Sequence, residues 1–487
     1  MSQTIAPERK WLALALLALA QFVVVLDASI VNVALPSIGR DLHFSQDNLS
    51  WVVNAYTLTF GGFLLLGGRM ADLIGRRRLF VGGLILFAVA SLAGGLSTND
   101  GQLVAFRAIQ GLGAAMLSPA ALSLVTVIFK EGAERNKALG VWGAVAGSGG
   151  AAGVLLGGML TQWAGWEWVL FVNTPIGLLA AAIAPRLLPE SRNAGARHFD
   201  IAGAVSVTAG LSLLVYALVD ASNAGWGSTQ TIGLISLAAV LIAVFVVIER
   251  ASKAPLVPFP GIFRIRTISG INLTALFIAM ALFSMFFFIS LYMQQVLGYD
   301  ALKAGVSYLP LAFGIIVSAG LASTLTTRFG FKPVLTAGLI LTAGGLVWFA
   351  QVSPDGGYVS DILFPSLLAA VGLGLAFVSM TVAAVNGVEP HETGLASGLI
   401  NTSQQVGGAL GLAILATVAN SRTADVAAGG ASQAVALTEG FQRAFTVGAG
   451  FAVFGAILAT VLISGHASRE HREAAQRGEV EPVPVAA

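Results

Sequence analysis

The sequence predicts an all-α membrane protein of about fourteen transmembrane helices, built as two pseudo-symmetric six-helix bundles plus two inserted helices. Three observations carry that expectation. The 487 residues are 56% hydrophobic and only 10% charged, with a mean hydropathy of +0.83, whereas a soluble domain has about 25% charged residues to cover its surface. Apolar segments of about 20 residues, the length that a bilayer core requires, recur along the whole chain. The second half also repeats motifs of the first in the same order.

The spans are read at 11–35, 49–67, 79–97, 102–129, 136–160, 167–188, 201–219, 229–249, 268–294, 304–326, 333–351, 361–386, 395–420 and 444–464. Arg9 and Lys10 followed by an apolar run and Ala18-Leu19-Ala20 imitate a cleaved leader. The run continues to Ala34, which is spanning length, so this segment is expected to stay as the first helix. Only Ser97-Thr-Asn-Asp-Gly101 separates the third span from the fourth.

Charge placement tests the count. Arg9, Lys10, Arg69, Arg76 to Arg78, Lys130, Arg135, Lys137, Arg186, Arg192, Arg197, Arg250, Lys253, Arg264, Arg266, Arg328, Lys332 and the tail arginines fall on one side. Arg40, Lys303, Arg422 and Arg443 fall on the other. By the positive-inside rule, both termini of this multi-pass protein are expected in the cytoplasm. The net charge of +2 is then a matter of topology, and no nucleic-acid partner is expected.

The repeat is specific. Glu131, Glu134, Ala138, Gly140, Gly149, Gly150 and Gly153 recur at one constant offset as Glu389, Glu392, Ala396, Gly398, Gly407, Gly408 and Gly411. GLGAAMLS at 111–118 echoes GLGLAFVS at 372–379, and GRRRLFVGGL at 75–84 echoes GFKPVLTAGL at 330–339. The expected units are an N-terminal bundle at 1–188, two linker helices at 189–267, a C-terminal bundle at 268–465 and a flexible cytoplasmic tail at 466–487. Parallel halves around a central cavity are the architecture of rocking secondary transporters.

Composition also excludes chemistry. There are no cysteines, and His43, His198, His391, His466 and His471 are scattered singly, so neither a metal site nor a cofactor is expected. No phosphate loop ending in Gly-Lys-Ser or Gly-Lys-Thr occurs, which argues against an ATP-driven pump. Nor does any nucleophile–base set suggest an enzyme.

Three constellations remain. Asp27 lies deep in the first span, where a carboxylate costs roughly 2.5–3.5 kcal/mol on insertion scales. Arg107, in LVAFRAIQGLGAA, is the basic residue read inside the hydrocarbon region. Their depths, roughly 12 and 8 Å from the same face, nearly match, so the two are expected to meet. The second constellation is Gly68, Arg69, Asp72, Gly75 and Arg76, in the turn between spans two and three, where glycines permit a tight reversal. The third is Gly149, Gly153, Gly157 and Gly158, whose spacing gives the fifth helix a smooth face for close approach.

GRMADLIGRRR at 68–78 resembles the cytoplasmic-loop signature of the major facilitator superfamily. The glycines of the fifth helix resemble its antiporter signature, except that Val154 stands where proline is usual. LDASIVNVALP, WVVNAYTLTFGG, WEWVLFVNTPIG, FDIAG at 199–203 and GLASGLINTSQQVGGALG at 394–411 are similar to the fourteen-helix drug:proton antiporters of the EmrB/QacA type. Glu167 departs from the arginine usual in relatives, and the acid that some carry in helix thirteen is replaced by Asn401, Gln404 and Gln405.

The resemblance implies a proton-coupled antiporter that exports lipophilic, cationic drugs by alternating access. The proton gradient supplies the energy, and Asp27 and Arg107 couple proton to substrate. A carboxylate that can hold either a proton or a cation lets the two compete, and one such acid implies electroneutral exchange. Asp72 and Arg76 are expected to govern the conformational switch. Asn32, Trp51, Tyr56, Phe60, Gln110, Phe286, Tyr292, Asn401 and Gln404 are the candidate cavity lining, the aromatics offering apolar and cation–π contacts. A dedicated exporter of one endogenous antibiotic, or a proton symporter importing a solute, would share this pattern. The expected unit is a monomer in the lipid bilayer. The sequence is silent on whether a periplasmic adaptor docks near 421–442.

Overall fold

The computed structural model describes residues 7–45, 48–129, 133–191, 201–252, 264–385 and 393–476, with certain side chains inside these ranges, those of Arg69 and Asp72 among them, outside the described residues. Every long regular element among the described residues is helical. The helices are α1 (Pro7–Asp41), α2 (Trp51–Ile74), α3 (Arg76–Gly95), α4 (Asp100–Ile128), α5 (Ala133–Trp163), α6 (Trp168–Phe171), α7 (Asn173–Leu187), α8 (Ile201–Ala224) and α9 (Thr229–Ala251). There follow α10 (Arg266–Leu291), α11 (Ala301–Ser307), α12 (Leu309–Phe329), α13 (Phe331–Phe349), α14 (Phe364–Val385), α15 (Thr393–Ala428), α16 (Gln433–Leu462) and α17 (Gly465–Gln476). Among the described residues, ten segments are long and apolar enough to cross a membrane. The further helices α2, α5, α8 and α15, of 24, 31, 24 and 36 residues, bring the long segments to fourteen.

Local chemistry sets the breaks. Asn99 caps α4 by accepting from the Gln102 amide at 2.9 Å, which is why five polar residues suffice between α3 and α4. Asp300 caps α11 through the Lys303 amide at 2.7 Å, and Ser228 caps α9 through Thr231. Gly75 and Gly330 hold φ of 114° and 88° at the equivalent turns, α2 to α3 and α12 to α13. Only glycine adopts such values without strain.

The same pairings occur twice. Within the first set, α1 packs on α4, α5 and α7, α2 on α4, and α3 on α4 and α7. Within the second, α10 packs on α14, α15 and α16, α12 on α14, and α13 on α14 and α16. The repeated glycines explain the closest of these. Gly149, Gly153 and Gly157 of α5 face the α1 backbone from Phe22 to Ile30, and Gly407 and Gly411 of α15 face Leu276 and Met280 of α10. A side chain at any of them would hold the partner helix away. Position 154 does not interrupt α5, which runs on through Val154.

The α1–α7 and α10–α16 sets touch across the end that carries Asp41 and Trp51. Ser290 Oγ donates to the Asn32 carbonyl at 2.8 Å, and these residues are 258 apart, the offset of the glycine repeat, so equivalent positions meet across the pseudo-symmetry axis. Gln294 Nε2 donates to the Val33 carbonyl at 2.9 Å. Gly158 lies against Ala301, Gly305 against Val154, Gly61 against Gln405, and Trp51 and Leu58 against Ala409 and Ala413. The hairpin of α8 and α9 lies over the α2–α15 seam, with Thr208 Oγ1 donating to the Gly62 carbonyl at 2.8 Å.

Two regions differ from expectation. Residues 421–442, read as a loop, extend α15 and α16 into a helical hairpin clamped by the Arg422–Glu439 pair at 2.5 Å. Residues 466–476, read as a flexible tail, fall within α17, which docks on α12 and α13: Ser468 Oγ accepts from the Lys332 amide at 3.1 Å, and His471 packs on Phe331.

Two outcomes follow. Gly158→Leu is expected to leave the bundles folded but wedge the contact with Ala301, raising thiol labelling of Cys introduced at Ser307 in this cysteine-free chain; overpacking of this kind costs about 1–3 kcal/mol. Burial lowers the His471 imidazole below its ordinary value. Its neutral form is favoured when docked, so the docking contribution is complete above about pH 6.5 and is lost as pH falls through the lowered value. The protection of the amides across 465–476, corrected for the intrinsic pH dependence of exchange, should therefore fall on acidification, and His471→Phe should remove that dependence.

Candidate functional site

Asp27 sits at the middle of α1, and its side chain is completely buried, as is that of Asn173, while Arg107 and Gln110 are 1% exposed. Four neighbouring helices converge on it. Arg107 and Gln110 stand three residues apart on α4 and so share one face. Ser91 comes from α3, Asn173 opens α7, and Tyr56 comes from α2. Gly111 has no side chain, which lets α4 press onto the Tyr56 carbonyl and sets Arg107, one turn earlier, under the Tyr56 ring.

The polar accounting is nearly complete. Arg107 Nη1 meets Asp27 Oδ2 at 2.5 Å and donates to Gln110 Oε1 at 2.7 Å. Arg107 Nε donates to the Val52 carbonyl at 3.0 Å, and the guanidinium carbon lies 4.4 Å from the Tyr56 ring centre. Asp27 Oδ1 accepts from Gln110 Nε2 at 2.8 Å and from Asn173 Nδ2 at 2.7 Å. Both amides also donate to Ser91 Oγ, whose own proton goes to the Leu170 carbonyl at 2.8 Å. The site is an ionised pair with a neutral amide and hydroxyl frame, sealed from solvent.

Chemically, such a site can store or release one proton. A carboxylate is acceptor-only, and every group facing Asp27 donates, so the network as built fits the ionised form. Adding a proton to Asp27 would remove the partner charge of Arg107 and one acceptor of the frame. Among the described residues, no three His, Asp or Glu side chains converge as a metal site would need.

The predicted meeting of Asp27 with Arg107 is found in the structure. Gln110 and Tyr56, read as cavity lining, are instead parts of this buried frame. Tyr292 does not line a cavity either: it is fully buried and donates to the Ser353 carbonyl at 2.7 Å and to Asp361 at 2.9 Å. Phe60 lies beside Tyr56, with ring centres 5.9 Å apart, and Phe286 stacks on Tyr308 at 5.7 Å. Asn32 and Trp51 belong to the contact between the two helix sets, while Gln404 is half-buried and Asn401 exposed.

At the Gly75 turn, the Arg76 amide donates to the Ser191 carbonyl at 3.1 Å, Arg77 Nη1 donates to the Leu188 carbonyl at 3.2 Å, and Arg77 and Arg78 pair with Glu190 at 3.6 and 3.7 Å. Gly68 and Gly75 are described, whereas the Arg69 and Asp72 side chains lie outside the described residues. Sequence reasoning missed Ser91, Asn173 and Glu190. Asn173 carried a signal, being the amide within the apolar string WVLFVN.

Among the described residues, fourteen long helical segments, twelve of them in two matching sets with a closed-off ion pair in one, define a membrane transporter rather than an enzyme. The Major Facilitator Superfamily matches residues 17–412, and the chain belongs to that family. It is 40% identical over 460 residues to the puromycin resistance protein of Streptomyces alboniger, covering 94% of this chain and 91% of that one. It is 42% identical over 417 residues to the cephamycin export protein of Amycolatopsis lactamdurans, covering 84% and 85%. In fold, it is similar to a bacterial homologue of the human lysosomal transporter Spinster in an inward-facing, unoccupied conformation, with a TM-score of 0.69, 16% identity and coverage of 96% and 99%.

The pair makes a stability prediction. Arg107→Leu leaves a buried carboxylate without its cation and should cost about 3–5 kcal/mol, whereas Asp27→Leu with Arg107→Leu should recover most of the loss. Thermal unfolding of the three proteins in detergent measures it.

Proposed function

We propose that this protein is a proton-coupled exporter of lipophilic, cationic drugs, acting by alternating access between residues 1–188 and 268–465. The observation that carries the reading is the Asp27–Arg107 pair, which among the described residues is buried in one set of helices only. At the glycine-repeat offset Asp27 corresponds to Met285, and the GLG motifs place Leu368 where Arg107 stands. A charged node without a symmetric twin is costly in an apolar bundle and fits a working part better than a structural one.

In this reading, the arginine-rich end around Arg76 faces the cytoplasm of a bacterial cell, with both termini there. The contacts of Asn32 with Ser290 and of Gly158 with Ala301 then close the external side, and the cavity opens inward. Export would follow when a cation reaching the cavity displaces the proton, and return when an external proton reoccupies Asp27. The Gly75 turn, with Asp72, would seal the inner side in the opposite state. The α8–α9 hairpin covers a seam, the protein works as a monomer, and any periplasmic adaptor would meet the α15–α16 hairpin.

A dedicated exporter of one antibiotic is the second reading, favoured by the single-antibiotic names of the puromycin and cephamycin relatives. A susceptibility panel in an efflux-deficient host separates the two: protection against one compound supports the second, against unrelated lipophilic cations the first.

Asp27→Asn should insert and fold, because an amide replaces the carboxylate at equal size, yet lose gradient-driven transport in everted vesicles. Full proton-driven export by that variant would remove Asp27 from the mechanism. Collapsing the membrane potential while preserving the pH gradient should leave the natural protein's rate unchanged, as expected for one proton against one monovalent cation. Uptake in place of extrusion under a defined gradient would identify a symporter instead.

A further inference from the structure

The frame around Asp27 has one unspent acceptor. Asn173 is completely buried, its Nδ2 donates twice, and its Oδ1 has no hydrogen-bond partner. A buried carbonyl oxygen left without a donor costs about 1–3 kcal/mol. The orientation is nonetheless forced. Ionised Asp27 can only accept, and Ser91 has already given its one proton to Leu170, so both neighbours require the amide nitrogen.

Protonation of Asp27 changes that requirement. The proton cannot settle on Oδ2, which faces the Arg107 cation at 2.5 Å. It therefore bonds to Oδ1, where two donors, Gln110 Nε2 and Asn173 Nδ2, already point. A hydroxyl there needs an acceptor, so one amide must turn. Gln110 is held: its Oε1 accepts from Arg107 at 2.7 Å, and turning it would set an NH2 group against the guanidinium. Asn173 is held less: its Oδ1 has no partner to lose, its bond to Asp27 Oδ1 is given up in any case, and turning costs only the 3.1 Å bond from Nδ2 to Ser91 Oγ.

Resting on the proton-coupled reading, we infer that Asn173 is a positioning residue that reads the protonation state of Asp27. It presents Nδ2 to the carboxylate and, by rotating its amide, Oδ1 to the carboxylic acid. The balance is simple. An O–H bond forms at Asp27 Oδ1, the Asn173 N–H bond to that oxygen breaks, and the new hydroxyl donates to Asn173 Oδ1. Ser91 Oγ loses one donor and keeps Gln110. No charge moves beyond the proton. Among the described residues, the titratable groups facing Asp27 are Arg107 of α4 and Tyr56 of α2, while α3 and α7 contribute the neutral Ser91 and Asn173. With Asn173 able to turn, both states of the acid are hydrogen-bonded.

The test is pH-difference infrared spectroscopy of the full-length protein in liposomes. Three samples are compared: the natural sequence with its asparagine side-chain carbonyls carbon-13 labelled, Asp27→Asn and Asn173→Leu. The expected result is a carboxylic-acid carbonyl band on acidification, absent from Asp27→Asn. That band should shift to higher frequency in Asn173→Leu, where the acid hydroxyl has lost its acceptor. In the labelled natural protein, an asparagine carbonyl band should move to lower frequency with the same pH midpoint. An acid band at the same frequency with and without Asn173, together with an unmoved asparagine carbonyl, overturns this inference and leaves proton coupling standing. Absence of any Asp27 acid band across the pH range overturns both. Should Asn173→Leu fail to fold, the labelled natural protein decides alone.

Discussion

One interaction constrains the structure: the contact between Asp27 and Arg107, two opposite charges whose side chains are buried. Each ion costs about several kcal/mol to desolvate, and their attraction repays this only where the remaining hydrogen-bonding capacity is also met. Hence the frame of Gln110, Asn173, Ser91, the Val52 carbonyl and the Tyr56 ring, drawn from four helices besides α1. Those helices cannot shift independently without uncovering a charge. The pair therefore binds α1, α2, α3, α4 and α7 into one unit, which in the proposed cycle responds to a single proton.

Pseudo-symmetry sharpens the point. Both helix sets share pairings, paired turn glycines and glycine faces, and Asn32 and Ser290 meet at equivalent positions across the axis. Among its described residues, the second set lacks the charged centre, and Met285 and Leu368 stand at the corresponding positions. In the proposed cycle, one set titrates and the other supplies an apolar wall for it to rock against. The glycine contacts at Gly61, Gly158 and Gly305 suit that motion. At Gly158 and Gly305 they bring backbones of the two sets together at short range, while Gly61 meets the Gln405 side chain.

Much of this was legible in the sequence, for reasons that differ by element. Hydropathy reports helices that must satisfy their backbone within a bilayer, so the spans emerge from composition alone. Glycine spacing reports close helix approach, which is why the offset that relates Gly149 to Gly407 also matches the packing. Asp27 and Arg107 were visible because a charge at membrane depth is expensive. The α15–α16 extension was not, because Ser421, Arg422, Asp425, Glu439 and Gln442 end the apolar run while leaving helix formation intact. The docking of α17 was hidden for a similar reason, its polar residues reading as solvated chain. Ser91 leaves no trace, since a hydroxyl in a helix ordinarily bonds its own backbone. Gln110 and Tyr56 were placed in the cavity because helical position alone does not say which neighbour a side chain meets.

Competition between a proton and a cation for Asp27 can be measured without transport. In weakly buffered detergent solution, adding a saturating lipophilic cation such as tetraphenylphosphonium to the purified protein, at a pH where Asp27 is protonated, should release about one proton per cation bound. Asp27→Asn should bind with no release. Tight binding to the natural protein with no proton appearing in solution at any pH would contradict it.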